Sequence, residues 1–194
     1  MNLGKVLIGA VAAAFAMFII GALFFATPLR GLGQGNLPNA QAAEVQRTLA
    51  ANLPNTGTYI IPDGGTQEQT VMYGQGPIAT VHYNTDGFAA FDAGSMAAGF
   101  VLYLLIALFI AGALWLMERQ VRDFPTRAKV VSVLAVAASA YIHLKMPIFY
   151  HHGWGHYVYF FVADALTLSA GGLIIARWFL PANRTAPADA PTDV

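Results

Sequence analysis

The chain has 194 residues, of which 57% are hydrophobic and 10% charged, with zero net charge and no cysteine. Soluble domains carry roughly 25% charged residues, so the deficit points to lipid. Zero net charge gives no support to a nucleic-acid partner, and the missing cysteines exclude disulfides, thiolate metal sites and cysteine nucleophiles.

Four segments approach the roughly 20 apolar residues needed to cross a bilayer. The first, residues 6–26, reads "VLIGAVAAAFAMFIIGALFFA". It is longer than the roughly 7–15 apolar residues of a secretory leader, and the following "FFATP" is a poor small-x-small cleavage site, so a retained helix is expected.

Residues 27–96 are the only sizeable polar segment. "NAQAAEVQRTLAANL" predicts a short helix that Asn39 can cap, with Val45, Leu49 and Leu53 on one face and Pro54 ending it. "TGTYIIP" and "GPIATVHYN" have the β-branched and aromatic content of strands. "DGGTQEQTVMYGQG" between them reads as a loop, and "NTDG" at residues 84–87 as a turn. Seventy residues with so few large apolar side chains make a thin core. A helix and a small antiparallel sheet resting on the membrane domain are expected, not an independent enzyme domain.

The second span, residues 97–117, is uniformly apolar. The third, residues 130–148, is interrupted near its end by His143 and Lys145. The fourth runs from about Tyr157 to Leu180 and contains Asp164. The tail, residues 181–194, is rich in Pro, Ala and polar residues and is expected to be disordered. The expected fold is therefore predominantly α: a four-transmembrane-helix bundle (residues 1–26 and 97–180) with a small α+β extracytoplasmic insertion (residues 27–96) between helices 1 and 2.

Basic residues set the expected orientation. Lys5, Arg119, Arg122, Arg127, Lys129, Arg177 and Arg184 fall on one side; Arg30, Arg47 and Lys145 fall on the other. Seven against three places both termini and the "ERQVRDFPTRAK" connection in the cytoplasm. The insertion and the loop before the fourth span then face outside, which in a bacterium is the periplasm. Small residues four apart, Gly9 with Ala13 and Gly172 with Ala176, allow close helix approach, either within the bundle or against another subunit.

A carboxylate inside a span needs a partner. Counted at about 1.5 Å per residue, His143 lies roughly 10 Å below the outer rim and Asp164 roughly 12 Å below it, on helices that must be antiparallel neighbours. A buried His143–Asp164 pair is expected, with Ser139 and Tyr141 as competing partners and a protonated, singly bonded Asp164 as the alternative. A proton relay would need further ionisable groups, and the inner half of these helices offers only Ser132, Thr167 and Ser169.

"MPIFYHHGWGHYVYFF", residues 146–161, holds three of the five histidines. Imidazole ligates zinc, copper, nickel and haem iron, so His143, His152 and His156 form an alternative set for a transition metal or haem b. Gly153 and Gly155 argue against a continuous helix through both loop histidines. Tyr150, Trp154, Tyr157 and Tyr159 make an interfacial aromatic belt without any ligand, which is the expected reading. No HExxH, phosphate loop or G-x-S-x-G is present, "GLGQGN" follows a span rather than a strand, and nothing in the spacing supports a Ser95–His82–Asp92 set; His82 is expected at the surface.

Several stretches carry a family resemblance: "FFATPL" ending the first helix, "LAANLPNTGTYIIP", "GPIATVHYN" before the second helix, and "YHHGWGHYVYFFVAD" between the third and fourth. In these the chain resembles a family of small, uncharacterised four-helix bacterial inner-membrane proteins with a periplasmic insertion after the first helix. The resemblance implies that architecture and location, and brings no activity or cofactor. In that family the last loop is built on Trp, Gly and Pro more than on His. The residues alone favour a non-enzymatic accessory or scaffold subunit without cofactor, in contact with the bilayer and other membrane subunits. A transporter is disfavoured because helices two and three lack a central proline.

Overall fold

The computed structural model describes residues 3–179. The tail, with Arg184, lies outside the described residues. In chain order the elements are α1 (Leu3–Phe25), a 3-10 turn (Pro28–Leu32), α2 (Asn39–Asn52), β1 (Gly57–Ile61), α3 (Gln67–Gln75), β2 (Ala79–Tyr83), α4 (Ala93–Leu116), α5 (Phe124–His143), α6 (Lys145–Tyr150) and α7 (Trp154–Ile174), which ends in a π-turn (Ile175–Phe179). Four helical stretches are long and apolar enough to cross a membrane: residues 4–25, 93–116, 124–150 and 154–179. The protein is mostly helical, as expected, with one small sheet.

The chain divides into two compact units: residues 36–92, and the flanking segments taken together. In the larger unit α1 packs on α4 and α7, and α7 packs on α5. Its core is rich in alanine: Ala10, Ala13 and Ala14 of α1, Ala107 and Ala111 of α4 and Ala176 pack around Met17, Leu114, Val131 and Ile175. Without a hydrophobic driving force in lipid, such residues gain stability by close backbone approach. The glycines serve the same end. A Cβ on Gly9 would strike the Phe179 ring, one on Gly171 the Met17 side chain, and one on Gly172 the Val131 side chain. The small-residue pairs at Gly9 and Gly172 are thus used inside the bundle.

Two span boundaries move. α5 begins at Phe124 rather than near residue 130, because Asp123 caps it (Oδ1 accepts from the Thr126 N–H at 2.8 Å) and Pro125 sits in its first turn. It breaks at Leu144 and resumes as α6. α7 begins at Trp154, three residues earlier than predicted. Gly153 stands before the helix as its N-cap residue, and Gly155 lies inside the first turn, where glycine disfavours helix by only about 1 kcal/mol; the helix does not run through both loop histidines, as expected.

In the smaller unit β1 and β2 pair antiparallel, with Thr58 opposite His82 and Ile60 opposite Thr80. The stretch read as a loop between them contains helix α3. Its start is fixed by Thr66, whose Oγ1 accepts from the Gln69 N–H at 3.1 Å, and Gly64 and Gly76 at positive φ flank it. Asn39 is the first residue of α2 and not its cap; Pro38 precedes it with no side-chain cap. Leu53 is the one buried residue among residues 36–92, and neither α2 nor α3 buries a side chain.

Candidate functional site

His143 is the last residue of α5 and Asp164 lies in the third turn of α7. These antiparallel neighbours place His143 Nε2 2.6 Å from Asp164 Oδ2. The His143 side chain is 12% exposed and the Asp164 side chain 37%. The short distance is that of a charge-assisted bond. The bond gives each polar group a partner inside the bundle, which is what apolar surroundings require. The competing partners do not reach Asp164: Tyr141 is 73% exposed with Lys145 Nζ over its ring at 4.6 Å, and Ser139 is fully buried with no hydrogen-bond partner for its Oγ. From α4, Tyr103 lies within electrostatic reach of Asp164, its hydroxyl pressed against the backbone of Gly21, where a Cβ would sit 2.5 Å away.

The loop histidines take separate partners. His151 turns the chain with φ 55°. His152 Nδ1 lies 2.9 Å from the Tyr157 hydroxyl, and the two rings stack. His156 Nδ1 donates to the Gly33 carbonyl at 2.9 Å, and one turn on, Tyr159 donates its hydroxyl to the Phe24 carbonyl at 2.7 Å. The first turns of α7 therefore grip the end of α1 and the 3-10 turn, satisfying carbonyls that the ending helix leaves open. His156 is helical and His152 is not, so their four-residue spacing does not put them on one face. The structure brings His143 to Asp164 and does not gather His143, His152 and His156. Among the described residues no group of three or more His, Cys, Asp or Glu converges. His82 lies on β2, its Nδ1 3.0 Å from the Thr58 hydroxyl.

Sequence reasoning passed over one residue. Arg127, counted only as a loop charge, is 2% exposed in the first turn of α5. Its Nε donates to the Val121 carbonyl at 2.9 Å, while Nη2 is buried with no hydrogen-bond partner. The signal was in "RDFPTRAK": Asp followed by Pro two residues later marks a helix start, which moves Arg127 from the loop into the helix.

No family model, curated protein or solved structure matches this chain.

Proposed function

We propose that this is a multi-pass protein of the bacterial inner membrane, with both termini cytoplasmic and residues 27–96 outside, and that it is a non-catalytic accessory or scaffold subunit of a larger membrane complex. The observation that carries this reading is the imbalance within residues 36–92. One residue is buried there, while Val71, Tyr73, Phe88 and Phe91 are exposed, the last two by 80% and 75%. A two-stranded sheet is marginal alone, and large apolar side chains left exposed on so thin a unit suit contact with a partner. Among the described residues the polar groups of the membrane helices serve packing: His143 and Asp164 pair with each other, His156 ties the start of α7 to the Gly33 carbonyl, and His152 pairs with Tyr157.

The test is purification from native membranes in mild detergent, with a photo-crosslinking residue in place of Phe88. A stoichiometric partner crosslinked there, and released by Val71→Ser or Phe91→Ser, is expected. A lone monomer under every mild condition refutes the reading. The rival role for His143, His152 and His156, binding a transition metal or haem b, predicts bound metal or a Soret band in the same preparation; the accessory reading predicts neither.

A further inference from the structure

Tyr157, Phe161, Asp164 and Leu168 follow one another along α7 at steps of four, three and four residues, so they form one stripe. Each of the four is half-buried. Leu168 shows where the stripe faces: it lines an apolar gap between α4 and α5, together with Ile110 of the one and Leu134 of the other. Asp164 lies one turn beyond Leu168, and both flanking helices reach its level. α5 brings His143 into contact with it, and α4 brings Tyr103, two turns before Ile110, within electrostatic reach.

Depth decides what can cover this carboxyl. Asp164 comes ten residues after Trp154, about 15 Å along the span and near the middle of a hydrocarbon core about 30 Å thick. His143 takes its Oδ2, and among the described residues no other side chain is bonded to it. The pairing nearly encloses His143 but leaves 37% of the Asp164 side chain open. A carboxyl has room for several hydrogen bonds, and an open polar group at this depth is strongly unfavourable. Acyl chains offer it no donor, and the lipid headgroups are about 15 Å away. Lys145, the nearest cation in sequence, lies over the Tyr141 ring instead. A polar side chain on a neighbouring membrane helix has both the reach and the chemistry.

We propose that the α7 stripe between α4 and α5 is the seat of a transmembrane helix from another protein, which brings a hydrogen-bond donor to the open side of Asp164. The donor is an Asn, Gln, Ser, Thr or basic side chain at mid-membrane depth, complementary to the carboxyl, on a helix otherwise apolar to match Phe161 and Leu168. The inference rests on the accessory-subunit reading, and places a contact with that partner inside the membrane.

The test places a photo-crosslinking residue at Phe161 in the full chain and irradiates native membranes, with the crosslinked peptide mapped by mass spectrometry. That peptide should lie in an apolar stretch of about 20 residues that carries a donor side chain. Asp164→Leu should lower the crosslinked fraction at least ten-fold, while Asp164→Asn, which keeps an acceptor oxygen, should retain most of it. His143→Ala removes the internal pair but leaves the carboxyl, and should also retain the crosslink; a merely structural role for Asp164 would make its loss equal to that of Asp164→Leu. Should Asp164→Leu fail to fold, Ala138→Phe, which fills the gap from the α5 side, should give the ten-fold loss instead. A crosslink to phospholipid alone, to a second copy of this chain, or to a helix whose capture ignores Asp164 overturns the proposal. A partner captured at Phe88 but none at Phe161 overturns it and leaves the accessory reading standing, whereas a lone monomer removes both.

Discussion

The two units of this chain stabilise their helices by different means. In the larger unit, Ala10, Ala13 and Ala14 are fully buried, and Gly171 and Gly172 let side chains of α1 and α5 rest on the backbone of α7. In residues 36–92 the helices bury nothing, and order rests on local devices: the Thr66 cap, the Thr58–His82 cross-strand contact, and the bonds from Thr56 to Thr85 and Asn84. Packing tolerates no added atoms, while local hydrogen bonding is indifferent to them. Substitutions should therefore behave oppositely in the two units.

The largest contrast is at glycine. Gly172→Ala puts a methyl group into the Val131 side chain, which is β-branched and fixed within the core, so α5 and α7 must separate. Overpacking of this kind costs about 1–3 kcal/mol. Gly74→Ala, in the last turns of α3 with open space around it, should instead gain up to about 1 kcal/mol through chain entropy. Reversible unfolding in mixed micelles, with hydrogen exchange to read α3 separately, checks both. Equal and small effects at the two sites would remove the distinction between the units.

Next comes the His143–Asp164 pair, a polar contact that joins two membrane helices by their side chains. His143→Ala leaves the Asp164 carboxyl without its partner and should destabilise by about 1–3 kcal/mol. Adding Asp164→Ala removes the orphaned group, so the double variant should be less destabilised than the sum of the singles by about 0.5–3 kcal/mol. Additivity within about 0.5 kcal/mol in that double-mutant cycle would show the two groups to be energetically independent.

How far the sequence carried these conclusions differs by feature. The spans were readable because 20 apolar residues in a row have few other uses, and α1 and α4 fall within a few residues of their predicted limits. The level shared by His143 and Asp164 followed from rise per residue and a short connection, which constrain antiparallel helices whatever their packing. α3 was hidden because "QEQTVMYGQ" has no apolar periodicity. Its signal is the Thr66-x-x-Gln69 start, which matters most when no tertiary packing helps. The separate partners of His152 and His156 were not readable at all: the Gly33 carbonyl is 123 positions from His156, and nothing local announces a bond across that distance. Arg127 was misjudged because charge was counted by loop rather than by helix boundary, and its burial depends on where α5 begins.

The smallest effects should come from the two caps, and they bring the comparison to its finest grain. Thr66→Ala should melt α3 locally, since a cap contributes about 1 kcal/mol and α3 has no buried side chain to compensate. Asp123→Ala should leave α5 helical, because Val131, Ala135 and Ser139 hold it from within the bundle. Asp123 nevertheless adds a pH signature. The Thr126 N–H bond holds its carboxyl below the ordinary carboxylate range. A group whose folded pKa is lowered binds its proton more readily in the unfolded chain, so its contribution is complete above the unfolded value, near 3.9, and disappears as pH falls through the lower folded value. Acid titration of α5 exchange protection near Thr126 should show that loss in the parent chain and a flat profile in Asp123→Ala. A parent profile already flat, or a loss near neutral pH, would mean that the cap does not hold the start of α5.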